Sequence, residues 1–110
     1  MITDEQAERA NDWIRDNATA HANAKGTRIQ LMEFRKSKKA LLMNKKLGEP
    51  QHVRESYAYA HKDYVQLLDD IEIAVALEEE LRWKMKAAEL KIEMWRTQQA
   101  NNRTIDRSHA

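Results

Sequence analysis

The 110-residue chain has no cysteine, a single proline and two glycines. Without cysteine there is no disulfide framework and no thiolate metal site. So little glycine and proline excludes a turn-rich β architecture and leaves long helices. Two isolated glycines, Gly26 and Gly48, cannot form a glycine-rich phosphate loop. No apolar run approaches membrane-spanning length. The formal net charge is +1, so the total charge selects no partner. None of the histidines (His21, His52, His61, His109) lies four residues from another, as a helical zinc site would need. Ser37, Ser56 and Ser108 have no nucleophile context. The composition therefore points away from an enzyme and calls for no metal, cofactor or small-molecule substrate. The first residues, Met1-Ile2-Thr3-Asp4-Glu5, are acidic where a secretion signal is basic. The expectation is a soluble, cytoplasmic protein.

What the chain does have is periodicity. Tyr64, Leu67, Ile71, Ala74, Leu81, Met85, Ala88, Ile92 and Trp95 recur at steps of three and four, and only Glu78 interrupts them. That is a heptad seam. It predicts one helix of about 48 Å over residues 64–95, built to lie against other helices. A second stripe of Trp83, Ala87, Leu90 and Met94 is spaced four, three and four on another face. One hairpin partner cannot cover both stripes. The second needs the segment around Trp13 and Ile14, the short helix described below, or another subunit.

Thr3 and Gln6 fit a capping box, with Asp4 and Glu5 at the positive end of the helix it starts. That helix is predicted over residues 4–47. Its first half is slim, with alanines at 7, 10, 18, 20, 22 and 24. Asn23 and Gly26 lower helix propensity, which predicts a kink or break around residues 23–27. In its second half Ile29, Met32, Ala40, Met43 and Leu47 face one way, while Leu31, Phe34, Leu41 and Leu42 face another. Two apolar faces predict burial on two sides. Gly48-Glu49-Pro50 is the clearest stop. A short helix over 51–60 follows, then a bend at residues 61–62 among Tyr57, Tyr59 and Tyr64. The seam helix is expected to end between residues 98 and 102, with 103–110 as a flexible tail. The predicted fold is a single all-α domain, a long antiparallel coiled-coil-like hairpin with one short extra helix.

Charge comes in blocks of alternating sign. Residues 25–46 carry +7, residues 61–80 carry −6 and residues 81–110 carry +4. Two readings of the +7 block compete. Arg28, Arg35, Lys39 and Lys46 are spaced seven, four and seven, a stripe able to follow a phosphate backbone. Arg96, Arg103 and Arg107, among glutamines and asparagines, extend the set of candidate phosphate contacts. Alternatively, folding back at residues 48–50 sets the +7 block against the −6 block, and each neutralises the other.

The C-terminal half also carries a distinctive pattern: Tyr57-Ala58-Tyr59-Ala60-His61, Tyr64, Leu67-Leu68, Glu79-Glu80-Leu81-Arg82-Trp83 and Trp95-Arg96-Thr97-Gln98-Gln99-Ala100. Over residues 30–110 the chain resembles a family of small, mostly uncharacterised helical proteins of tailed phages and prophages. The resemblance implies a phage setting and a role in DNA metabolism or host take-over, near recombination and replication functions. Arg82 and Arg96 flank both tryptophans, and arginine with tryptophan is the pairing that dominates interface hot spots. The expectation is a non-enzymatic accessory protein that self-associates and binds DNA or a DNA-processing protein. Trp83, Ala87, Leu90 and Met94 are its candidate protein interface. The alternatives are an inhibitor of a host or defence enzyme and a structural homo-oligomer.

Overall fold

The computed structural model describes residues 1–109. They form α1 (Asp4–Met43), a 3₁₀ turn (Asn44–Lys46), α2 (Gln51–Ala60) and α3 (Lys62–His109), with no strand among them. The fold is the predicted all-α helical hairpin. It divides into two compact units, one of residues 1–21 with 80–109 and one of residues 22–79.

The unit of residues 22–79 holds the turn and the densest core. Leu42, Ala58 and Tyr64 meet there, one from each helix, with Met43 and Tyr57 packed around them. Leu42 is 2% exposed and Ala58 fully enclosed. The turn between α1 and α2 depends on Gly48, whose φ of +93° suits a residue without a Cβ. Arg54 reaches back from α2, its Nε donating to the Met43 carbonyl at 3.2 Å. That adds a side-chain donor to the carbonyl from which the 3₁₀ turn starts. At the second bend His61 joins α2 to α3. Its Nδ1 accepts the Asp63 backbone N–H at 3.0 Å and its ring stands edge-on to Tyr57 at 5.6 Å. The role of His61 is therefore structural.

In the unit of residues 1–21 with 80–109 the predicted capping box is present. The Thr3 hydroxyl accepts the Gln6 N–H at 3.1 Å, and the Gln6 side chain accepts the Thr3 N–H at 2.9 Å. The two helices run antiparallel. The Ile2 N–H donates to Gln98 Oε1 at 3.0 Å, and Trp95 Nε1 donates to Asp4 at 2.7 Å.

Every position of the α3 seam is buried or half-buried, and Glu78 is among the buried ones. Glu78 therefore belongs to the seam. It meets Arg28 of α1, whose Nη2 lies 3.2 Å from Glu78 Oε1 and whose Nε pairs with Oε2. Helix α1 carries a matching heptad seam that its sequence conceals. Ala7, Ala10, Ile14, Asn17, His21, Ala24, Arg28, Leu31, Arg35, Lys38 and Leu42 follow steps of three and four, and all but Arg35 are buried or half-buried.

Four expectations are corrected. Helix α1 is continuous through residues 23–27. Gly26 is exposed there with nothing near it, while Ala24 and Arg28 on either side are held in the seam. A propensity penalty of about 1 kcal/mol for one glycine is outweighed by packing on both sides. The α-helix also stops at Met43 rather than Leu47, and burial of its second half is one-sided. Ile29, Phe34, Leu41 and Leu47 are 44–72% exposed, because only the line through Leu31 and Leu42 faces α3. Finally, α3 does not end at residues 98–102 but runs to His109. No glycine or proline stops it, and the Thr104 and Ser108 hydroxyls bond back to the carbonyls of Ala100 and Thr104 at 3.0 Å. Of the tail expected over 103–110, position 110 lies outside the described residues.

Candidate functional site

The basic stripe of α1 is largely absorbed by its own unit. Arg28 is held by Glu78, whose hydrogen bond and charge raise the pKa of its guanidinium. Lys39 stands 4.7 Å from the Tyr59 ring centre and 3.8 Å from Glu55 Oε1. Tyr59 first, and then Glu55, hold its ammonium above the ordinary lysine value. Lys46 lies over the Tyr57 ring at 5.0 Å. Beside the stripe, Lys38 pairs with Asp63 at 3.9 Å. Of the four candidates Arg35 and Lys46 are exposed without an ion partner among the described residues, and Arg35 has no aromatic contact either. Internal neutralisation thus accounts for Arg28 and Lys38 against residues 61–80, and for Lys39 against α2. The structure does not present Arg28, Lys39 and Lys46 as a free phosphate track.

The candidates of the other unit are arranged differently. Trp95, Arg96, Gln99 and Arg103 line one groove of about 500 Å³ near the end of α3. All four come from one face of that helix, at steps of one, three and four. Asp4 fixes two of them, accepting from Trp95 Nε1 and, at 3.4 Å, from Gln99 Nε2. Arg96 makes an exposed ion pair with Glu93 at 2.8 Å. An exposed pair of this kind contributes little and yields readily to a better anion. Arg103 is exposed and has no ion partner among the described residues. Arg107, one turn further on, is in the same condition but does not line the groove. Two guanidinium groups, a carboxamide and an indole, with Asp4 bonded behind the last two, form a surface for phosphate contact and base stacking.

A second groove of about 360 Å³ escaped the sequence reading. Gln6, Arg9, Ala10 and Trp13 form one wall, and Lys84, Ala87, Ala88 and Lys91 the other. Each wall is an i, i+3, i+4, i+7 set, one face of one helix. The spacing was present in the sequence, but nothing there told which two faces meet. The opposite flank of this unit carries a third groove, where Asp4 and Glu8 stand with Ile92, Trp95 and Arg96. The two flanks therefore differ in charge.

The second apolar stripe is open. Trp83, Leu90 and Met94 are 59%, 56% and 55% exposed, and Ala87 between them is exposed as well. Trp13 and Ile14 are half-buried and do not cover it. Arg82 lies over the Trp83 ring at 4.8 Å.

One metal-like spacing exists, Glu49 to His52, but it straddles Pro50 at the start of α2. No group of three potential metal ligands occurs among the described residues. No helix among them is long and apolar enough to cross a membrane. Comparison with protein-family models, curated proteins and solved structures matches the chain to none of them.

Proposed function

We propose that the protein is a non-enzymatic accessory protein that binds DNA through the unit of residues 1–21 with 80–109. One observation carries this reading. Arg96, Gln99 and Arg103 share a groove with the Trp95 indole, and the carboxylate bonded to it, Asp4, is taken up by Trp95 Nε1 and Gln99 Nε2. Single-strand binders combine cationic grooves with aromatic stacking surfaces in the same way. The phage setting and the link to recombination or replication rest on the resemblance of residues 30–110 alone. Titrating labelled single- and double-stranded DNA at several salt concentrations tests the proposal. Affinity is expected to fall steeply with salt, as counterion release requires. Arg103→Glu is expected to weaken binding and to lower the salt slope by about one. No binding of either form at low salt would refute the reading.

A second reading has its own observation, the exposed stripe through Trp83, Leu90 and Met94. A large apolar surface at heptad spacing favours a helical partner. Its neighbours Lys84, Lys86 and Lys91 suit an acidic one, and residues 69–80 of a second copy are acidic with Ile73 and Leu77 exposed. Light scattering is expected to report an oligomer that Trp83→Glu dissociates. A monomeric wild type would rule this out.

A further inference from the structure

We propose that the groove between Arg9–Trp13 on α1 and Lys84–Lys91 on α3 is a nucleotide-binding subsite, taking one phosphate and one base of a single-stranded nucleic acid. The proposal rests on the DNA-binding reading and deepens it, since it adds a place for a second nucleotide on the other flank of the same unit. The charge of the groove is its first argument. Arg9, Lys84 and Lys91 line it and no carboxylate does. Lys84 makes one exposed pair with Glu80 at 2.9 Å, on its own helix. Arg9 and Lys91 have no ion partner among the described residues. Two cations without partners beside a third are complementary to a phosphate, which a guanidinium contacts through two parallel hydrogen bonds.

The shape is the second argument. Trp13 is half-buried on the wall, one helical turn from Arg9. An indole held by packing presents a fixed stacking surface, and a base laid on it contributes regardless of its identity. The floor is low because it is alanine, with Ala10 and Ala88 at 7% and 9% exposure. A leucine at either position would occupy the space. About 360 Å³ is at the small end of the range for ligand sites, suited to a single nucleotide unit rather than a larger ligand. Gln6 supplies a carboxamide at the edge. Its Oε1 is used by the Thr3 N–H, which leaves the amide N–H groups as its donors.

The groove on the other flank has a different charge balance. There Asp4 and Glu8 stand with Ile92, Trp95 and Arg96, and Arg96 is its one cation. Three cations and no carboxylate line the Trp13 groove, which makes it the more favourable of these two for a phosphate.

The test is the affinity for an oligothymidylate of about ten nucleotides, within the usual span of single-strand sites, alongside deoxythymidine monophosphate as the free-nucleotide arm. Two variants attack the subsite by different means. The double variant Arg9→Glu with Lys91→Glu reverses its charge, and Ala87→Leu narrows it without touching charge or helix propensity. Each is expected to weaken oligonucleotide binding about tenfold, the size of one lost stack or phosphate contact, with unchanged helix content and thermal midpoint. In a Trp83→Phe background, which keeps Trp95, fluorescence quenching on saturation is expected to shrink when Trp13→Phe is added. Oligonucleotide binding at the wild-type level in both groove variants, while Arg103→Glu weakens it, would overturn the subsite and leave the DNA-binding reading standing. Failure of the wild type to bind would overturn both. Tight binding of the monophosphate with oligonucleotide affinity unmoved by the variants would also overturn the proposal, because the site would then serve a free nucleotide.

Discussion

The two units handle positive charge in opposite ways. Residues 22–79 contain the whole +7 block, and Arg28, Lys38, Lys39 and Lys46 there sit against carboxylates or tyrosine rings of their own unit, while Lys25, Arg35 and Lys45 stay exposed. Residues 80–109 carry fewer cations, but Lys91, Arg103 and Arg107 stand without ion partners among the described residues, as Arg9 does on the facing helix. The members of the basic stripe are thus mostly matched inside their own unit, whereas the cations of the two grooves are not. A run of lysines locates a polyanion site only when the fold leaves it unmatched, because a phosphate must otherwise displace a carboxylate already in place.

The same contrast extends to packing. The unit at the turn has a leucine–alanine–tyrosine core, and the other is joined along alanines with grooves on both flanks. Leu42→Ala is accordingly expected to cost about 3 kcal/mol in urea unfolding, the largest single effect in the molecule. A loss below about 1 kcal/mol would show that the turn is not where stability resides.

Next in size comes the division of labour among arginines. Arg28→Ala is expected to lower the thermal midpoint by several degrees, because the buried Glu78 carboxylate loses both contacts that Arg28 makes to it, and to leave DNA affinity unchanged. Arg103→Glu is expected to do the reverse. The comparison breaks if Arg28→Ala weakens DNA binding as much as Arg103→Glu does. Replacing both Arg28 and Glu78 by leucine completes the apolar seam and is expected to restore the midpoint or exceed it.

A smaller effect concerns His21, a seam residue whose Nε2 is enclosed with no hydrogen-bond partner. An unsatisfied buried nitrogen costs about 1 kcal/mol or more, so His21→Leu is expected to stabilise by about that much. Chemical denaturation measures it, and a destabilised variant would show that the ring is better satisfied than its geometry indicates.

The smallest effect is a pH dependence. Lys39 has a folded-state pKa above its ordinary value, so at alkaline pH the folded chain binds more protons than the unfolded one. Its contribution to stability is complete below the unfolded lysine value of about 10.4 and declines as pH rises through the folded value. Lys39→Met is expected to flatten the corresponding part of a pH–stability curve.

What could be read from the sequence follows from contrast between residue types. The α3 seam was visible because leucine, isoleucine and tryptophan stand out against charged neighbours. The capping box and the stop at Gly48 and Pro50 were visible because each needs only adjacent residues. The α1 seam was invisible. Asn17, His21, Arg28 and Lys38 occupy its positions, and alanine fills others without a strong apolar signal. Glu78 was read as a fault in one seam because its partner belonged to a seam that could not be seen. The Trp13 groove was hidden for a related reason, since each wall is an unremarkable helical face until the other lies beside it. The predicted kink at residues 23–27 failed because local propensity was allowed to outweigh packing at Ala24 and Arg28.

The pair of Arg28 and Glu78 has one more consequence, for chain exchange. Any second copy offers the same Glu78 to Arg28, so the contact cannot tell a hairpin closed on itself from two chains that have traded helices. That choice falls to the few residues between α1 and α2, where Gly48 permits the reversal. Straightening that connection, which needs Pro50 replaced as well as Gly48 because proline also stops a helix, would let α1 run on into α2 and turn an intramolecular contact into an intermolecular one with the same atoms. The protein's tendency to stay single or to swap would then be set by these turn residues rather than by the contact they enable.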